Sequence, residues 1–216
     1  MLTLTRVQPP KFQFWFEFAS TYSYLVASRI ERVAGPAGIA VEWKPFLLGP
    51  IFAAQGWNDS PFNIYPAKGR YMWRDMERCC EKIGIPFRKP SVFPRSGLIA
   101  ARVACMVSGE RWMPDFVRAV YCANFADDRD ISRPETIAAI LSDLGYDGPG
   151  LVERAESPEN KRRLRAQTEE AVALGIFGAP TFVVGRELFW GNDRLEDAVG
   201  CYQRLRRGPG RDNLSM

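Results

Sequence analysis

The chain of 216 residues contains no histidine. This absence excludes Ser-His-Asp and Cys-His catalytic sites, and every zinc site that needs an imidazole ligand. The sequence also lacks a Cys-x-x-Cys pair, which excludes a dithiol redox centre. Acid–base chemistry near neutral pH must therefore come from carboxylates, lysine, tyrosine or a bound cofactor with its own ionisable group.

Long apolar runs are also missing, so no membrane span of about 18 residues is predicted. Residues 1–10 do not read as a signal peptide. The five cysteines are odd in number and irregularly spaced, which argues against a disulfide framework and favours reduced thiols in the cytoplasm. A net charge of +4 is spread along the chain, and the densest basic run, residues 161–165, predicts an exposed helix face rather than a nucleic-acid site.

The hydrophobic pattern predicts strands at the two ends of the chain and helices between them. Phenylalanine at every even position from Phe12 to Phe18 predicts a strand. A helix over 20–33 and a strand over 39–46 complete a βαβ unit. Glycine and proline predict a loop over 47–67. Helices are expected at 68–83, 96–109, 111–126, 133–145 and 158–174, followed by a hairpin of strands 180–184 and 187–190 and a last helix over 193–206.

Joining the two ends gives a βαβ–ββα order, which is the thioredoxin fold, here with an inserted all-helical domain. We expect residues 11–66 and 175–207 to form one discontinuous thioredoxin-like domain and residues 67–174 to form the insertion. Residues 208–216 are expected to be a flexible tail.

Ser20 stands where the first strand turns into the first helix. One interpretation is an ordinary helix N-cap. The other uses the free amides of a helix start, which stabilise an anion such as a thiolate. Ser20 and Ser23 stand where redox proteins of this fold carry their two cysteines, so this pair could donate to a bound sulfur but could not form a disulfide.

Two segments near the C-terminus carry the same ambiguity. Pro180, after Ala179, could be a strand-start proline, or the cis-proline that faces the first helix in this fold and receives a peptide backbone. Asn192 and Asp193 could cap the last helix, or hold the carboxylate and ammonium of a γ-glutamyl unit. In the order that the fold requires, the three features converge on a γ-glutamyl peptide with a central thiol, which is glutathione.

Five segments in order resemble the 2-hydroxychromene-2-carboxylate isomerase family, a relative of the kappa-class glutathione transferases and the DsbA-like oxidoreductases. They are FEFASTYSYL at 16–25, AKGRYMWRD at 67–75, NFADDRDI at 124–131, FGAPTF at 177–182 and WGNDRL at 190–195. The resemblance covers about residues 12–203. It departs from the family at Thr21, where proline is usual, and at Glu17, where aspartate is usual, and residues 52–66 form a longer segment than usual.

The resemblance implies a glutathione-dependent isomerase that opens a cyclic 2-hydroxychromene-2-carboxylate. It implies a catalytic role for Ser20, and glutathione or substrate contacts by Asn58 and Lys68. Ala179 and Pro180 would hold the backbone of glutathione, and Asn192 and Asp193 its γ-glutamyl end. Aromatic residues of the helical insertion are expected to stack on the aromatic carboxylate substrate, and relatives suggest a homodimer. Two alternatives stay open: a kappa-class-like transferase or peroxidase, and a non-catalytic module that binds thiol peptides.

Overall fold

The computed structural model describes residues 10–207. Four strands form one mixed sheet: β1 Phe12–Phe16, β2 Val41–Pro45, β3 Thr181–Val184 and β4 Glu187–Trp190. The helices are α1 Thr21–Ala27, α2 Ile30–Ala34, α3 Leu48–Ala54, α4 Pro61–Ile64, α5 Pro66–Ile83, α6 Leu98–Met106, α7 Met113–Phe125, α8 Pro134–Asp143, α9 Gly148–Ala155, α10 Pro158–Ala173 and α11 Leu195–Arg207. None of the described helices is long and apolar enough to cross a bilayer.

The sheet confirms the predicted thioredoxin fold with a helical insertion. Its strand order is β2-β1-β3-β4, with β1 parallel to β2 and antiparallel to β3, and β4 antiparallel to β3. Strands from both ends of the chain therefore share one sheet, and helices α5 to α10 lie between them in sequence. One buried cluster includes side chains from the sheet and from these helices. The assignment of the two parts as separate domains stays a prediction.

Strand β1 is buried on both faces. Phe14 and Phe16 pack in the main cluster, whereas Trp15 points to the opposite face and packs with Phe46 and Ile51 in a second cluster. Period-two alternation correctly predicted a strand here. The second face is buried because residues of α3 and α10, including Ile51 and Ala171, pack against it.

The loop predicted over 47–67 is wrong in part, because this stretch contains α3, α4 and the start of α5. Pro50 and Pro61 lie in the first turns of their helices, where a missing amide costs no hydrogen bond. The segment Gly148-Pro149-Gly150, which lies between two predicted helices, likewise begins a helix, α9. Asp147 caps this helix by accepting from the Gly150 amide at 3.1 Å. In the structure, glycine and proline lie at helix starts in these segments, whereas in the sequence they predicted turns.

The predicted helix over 20–33 is two helices, α1 and α2, joined at Ser28 and Arg29. The Ser28 hydroxyl donates to the Tyr24 carbonyl at 2.8 Å, and Arg29 leaves helical geometry with φ −131° and ψ −11°. The bend directs Arg29 toward the turn before α11. The basic run of 161–165 lies on α10, where its charged residues are exposed as expected. Residues 208–216, the predicted tail, lie outside the described residues.

Candidate glutathione site

All seven predicted site residues line one cavity of about 1460 Å³ between the ends of β1 and β3 and the helices around them. Its lining includes Ser20, the Ala179–Pro180 segment, the Asn192–Asp193 turn, Asn58 and Lys68. Small-molecule sites usually measure roughly 300–1,000 Å³. This cavity is therefore larger than a typical small-molecule site.

Ser20 is both a helix cap and a cavity residue, so the two interpretations of the sequence are compatible. Its Oγ accepts from the Ser23 amide at 3.2 Å and donates to the Ala179 carbonyl at 2.9 Å. The second contact joins the start of α1 to the strand-start segment 159 residues later. Ser23, by contrast, is fully buried and is not among the cavity residues. Only the first serine of the pair can therefore reach a ligand.

The Ala179–Pro180 peptide bond is cis, as predicted for this fold. The Pro180 carbonyl accepts from the Gly191 amide at 3.0 Å, which fixes the segment against the start of the next turn. Gly178 is required by close packing, because a Cβ at this position would lie 2.4 Å from Trp190 Nε1. Trp190 in turn packs on Phe177 with ring centroids 4.9 Å apart, and both rings line the cavity.

Asn192 does not cap the last helix with its side chain. Its Oδ1 and its main-chain carbonyl both accept from the Arg29 guanidinium, at 3.1 Å and 2.6 Å from Nη2. Arg29 also pairs with Glu196 on α11 and is only 11% exposed at its side chain. Sequence reasoning missed this anchor, because Arg29 falls on the apolar spacing of a predicted helix. Asp193 is exposed and pairs with Arg194 at 3.2 Å.

Asn58 and Lys68 are exposed residues of the cavity lining. Asn58 is exposed between α3 and α4, and Lys68 is in the first turn of α5 with Nζ 4.7 Å from the Tyr65 ring centroid. Thr21, which replaces the family's usual proline, donates to Met72 Sδ at 3.3 Å and so contributes to the packing of α1 on α5.

The aromatic lining differs from the prediction. Among the described residues of the helical insertion, Phe93 is the single aromatic side chain in the lining. The other rings come from α1, from the segment between β2 and α5 and from the edge of the sheet: Tyr22, Phe52, Trp57, Phe62, Phe177 and Trp190. The longer 52–66 segment therefore does form part of the wall, as expected. Insertion aromatics such as Trp73 instead pack on one another, with Trp73 and Phe93 4.9 Å apart.

Two further charged residues, Arg95 and Glu17, line the cavity. Arg95, also missed by sequence reasoning, is 6% exposed and donates to Asn124, to Asp128 and to the Arg129 carbonyl, which holds the segment before α6 in place. Hydrogen bonds from Ser91 and from Arg95 lower the pKa of Asp128 to about 2.

Glu17 lines the cavity three residues before Ser20. Burial raises the pKa of its carboxyl to about 7, although a hydrogen bond from the Ala19 amide acts in the opposite direction. The sequence had marked this position only as a departure from the family's usual aspartate.

Residues 11–203 match the family model described as a DSBA-like thioredoxin domain. The chain belongs to this DsbA-like family. It is 31% identical over 185 residues to a 2-hydroxychromene-2-carboxylate isomerase of Sphingobium xenophagum, which covers 85% of this chain and 93% of that protein. The resemblance predicted from the five sequence segments is thereby confirmed.

Two further relatives support the same placement. A Caenorhabditis elegans protein named glutathione S-transferase kappa 2 is 29% identical over 214 residues, covering 93% of this chain and 95% of the relative. A solved 2-hydroxychromene-2-carboxylate isomerase superposes with a TM-score of 0.81 at 25% identity, covering 93% of this chain and 99% of the other. Relatives of this DsbA-like chain are thus named as isomerases and as glutathione transferases.

Proposed function

We propose that this protein is a glutathione-dependent isomerase of the 2-hydroxychromene-2-carboxylate type. The observation that carries the proposal is that one cavity collects Ser20, the cis-proline segment and the Asn192–Asp193 turn together with Asn58 and Lys68. The names of the isomerase relatives support the same activity. The small aromatic carboxylate substrate, a homodimer and a cytoplasmic location stay predictions.

The residues present fit glutathione at each of its three parts. Ser20 provides a hydroxyl in the cavity lining, and the amides of Thr21 and Tyr22 have no acceptor within residues 10–207. The cis-proline segment presents the Ala179 main chain to a peptide backbone. Asp193 can pair with an ammonium, and Asn192 is fixed by Arg29 beside it.

When bound, glutathione would supply a thiolate that adds reversibly to a conjugated carbon of the substrate and leaves again, so the tripeptide is regenerated. Ser20 would turn its hydroxyl from the Ala179 carbonyl toward the sulfur. A hydrogen bond from a hydroxyl to an anion contributes about 1.5–3 kcal/mol, which corresponds to about one to two pKa units for the thiol. Lys68 would neutralise the substrate carboxylate, and Trp57 and Phe62 would cover the aromatic ring.

Replacing Ser20 with alanine tests the proposal. We expect glutathione-dependent turnover to fall at least about tenfold, since the hydroxyl that stabilises the thiolate is lost. Ser157→Ala is the matched control, because Ser157 caps α10 by accepting from the Asn160 amide at 3.3 Å and is not among the cavity residues. Both variants lose a cap worth about 1 kcal/mol. Equal turnover in the two variants would exclude Ser20 as the catalytic group.

Kappa-class-like conjugation is the second candidate, and the C. elegans relative favours it because the match extends over 95% of that protein. Conjugation consumes glutathione, whereas isomerisation returns it. Measuring free thiol during turnover of an electrophilic chlorodinitrobenzene and of an aromatic ring-opening substrate separates the two activities. Stoichiometric loss of thiol with both compounds would favour the transferase.

A further inference from the structure

Glu17 is the carboxyl nearest to Ser20 along the chain, and the backbone fixes it there. The Ser20 amide donates to the Glu17 carbonyl at 3.0 Å, so residues 17–20 form a closed turn. The Tyr121 hydroxyl donates to the same carbonyl at 2.9 Å. One carboxyl oxygen, Oε2, accepts from the Ala19 amide at 2.9 Å. The other, Oε1, lies toward Gly97, where a Cβ would approach it to 3.3 Å.

The remaining carboxyls of the cavity wall are engaged by side chains. Asp59 accepts from Asn63 at 3.1 Å, Asp75 accepts from the Tyr22 hydroxyl at 3.0 Å, and Asp193 pairs with Arg194. Within residues 10–207, Glu17 forms no ion pair and has no side-chain donor. It is therefore the carboxyl of this wall that is best able to exchange a proton at neutral pH.

Within residues 10–207, the neighbouring ionisable groups do not pair with the Glu17 carboxyl. The guanidinium of Arg95, on the segment before α6, donates to Asp128 and Asn124. Tyr121, on α7, contacts the main chain of Glu17 and not its carboxyl. The ionisable groups that α1 and α5 contribute to the cavity are Tyr22, Lys68, Asp75 and Cys79. Burial without a cation keeps the proton on Glu17 to higher pH than usual.

We propose that Glu17 is the proton acceptor for the glutathione thiol and holds that proton while the thiolate is in use. This inference rests on the proposed function. The thiol S–H bond breaks, an O–H bond forms on Glu17, and the electron pair stays on sulfur. The carboxyl and the sulfur together keep one negative charge, which avoids placing two anions side by side. The reverse transfer restores the thiol before glutathione leaves. In a chain without histidine, Glu17 thus supplies the acid–base group.

Glu17→Gln separates this role from a structural one. The amide oxygen of glutamine can still accept from the Ala19 amide, so the turn is kept, but the side chain cannot take a proton. Glu17→Asp restores an ionisable carboxyl. Glu153→Gln, on the exposed face of α9, removes the same charge far from the cavity and is the matched control. Thermal melting checks that each variant is folded.

The experiment counts protons released per thiolate formed when glutathione binds at about pH 8. Calorimetry in buffers of different ionisation enthalpy gives the protons, and ultraviolet absorbance gives the thiolate. The wild-type protein, Glu17→Asp and Glu153→Gln should release close to none, because the carboxyl retains the proton. Glu17→Gln should release about one per thiolate, because the proton must go to solvent.

The outcomes distinguish the two proposals. If the wild-type protein and Glu17→Gln both release about one proton per thiolate, Glu17 is not the acceptor, while glutathione binding stands. If glutathione produces no binding heat with the wild-type protein, the proposed function fails and this inference fails with it.

Discussion

The ionisation of Glu17 should make the stability of the protein fall as pH rises. The pKa of this carboxyl lies at about 7 in the folded chain, against 4.5 for an ordinary glutamate. Between these values the folded state keeps a proton that the unfolded state has lost, so the free energy of unfolding decreases with pH. Each pKa unit is worth about 1.36 kcal/mol. After allowance for partial contact with the cavity solvent, the ionised carboxyl should cost the folded state about 2–3 kcal/mol above pH 7.

Glu17→Gln removes this cost while keeping the acceptor for the Ala19 amide. Relative to the wild-type protein, the free energy of unfolding of Glu17→Gln should therefore increase by about 2–3 kcal/mol as the pH rises from about 4.5 to about 8. For a chain of this length that gain corresponds to roughly 5–10 °C in the unfolding temperature.

Urea unfolding at a series of pH values measures the difference directly, because groups that titrate alike in both proteins cancel. Glu153→Gln, which removes an exposed carboxyl, should give a curve parallel to that of the wild-type protein. A difference between Glu17→Gln and the wild-type protein that does not change with pH would show that the pKa of Glu17 is not raised in the folded chain.

Two further substitutions test the walls of the cavity. Arg29→Ala should raise the dissociation constant of glutathione about five- to tenfold, since a lost charge-assisted contact costs about 1–1.5 kcal/mol and Asn192 would no longer be fixed. Arg32→Ala, on the exposed face of the adjoining helix α2, should leave binding unchanged, and equal losses in a calorimetric titration would contradict the assignment. Lys68→Ala should raise KM for an aromatic carboxylate several-fold with little effect on kcat, because an exposed ion pair contributes about 0.5–1 kcal/mol. Steady-state kinetics with Lys82→Ala, at the other end of α5, provide the control, and a fall in kcat alone would assign Lys68 another role.

Much of the fold could be predicted because the strands and the turns that matter have local signals. Phe12 to Phe18 alternate, and Gly185 lies between two short β-prone runs, so β1 and the β3–β4 hairpin were predicted. Helices α3, α4 and α9 were not, because their first turns contain the glycine and proline residues that also mark loops. Side-chain caps by Ser60 and Asp147 mark the starts of α4 and α9, whereas α3 begins after Leu47 without one.

The site residues divide in the same way, into those with a local sequence signal and those without one. Ser20 and Pro180 could be chosen because the fold places a strand-to-helix turn opposite the cis-proline segment, and the structure joins them by one hydrogen bond of 2.9 Å to Ala179. Arg29 and Arg95 depend on partners 163 and 34 residues away, and the raised pKa of Glu17 depends on the burial of a single carboxyl. Spacing along the chain contains no information on such contacts.

A crystal structure of the protein with millimolar glutathione would show whether Ser20 holds the sulfur of the bound tripeptide. We expect the sulfur within hydrogen-bonding distance of Ser20 Oγ, the cysteinyl backbone along Ala179 and the γ-glutamyl end at Asn192 and Asp193. A cavity without the tripeptide, or a tripeptide whose sulfur points away from Ser20, would contradict this expectation.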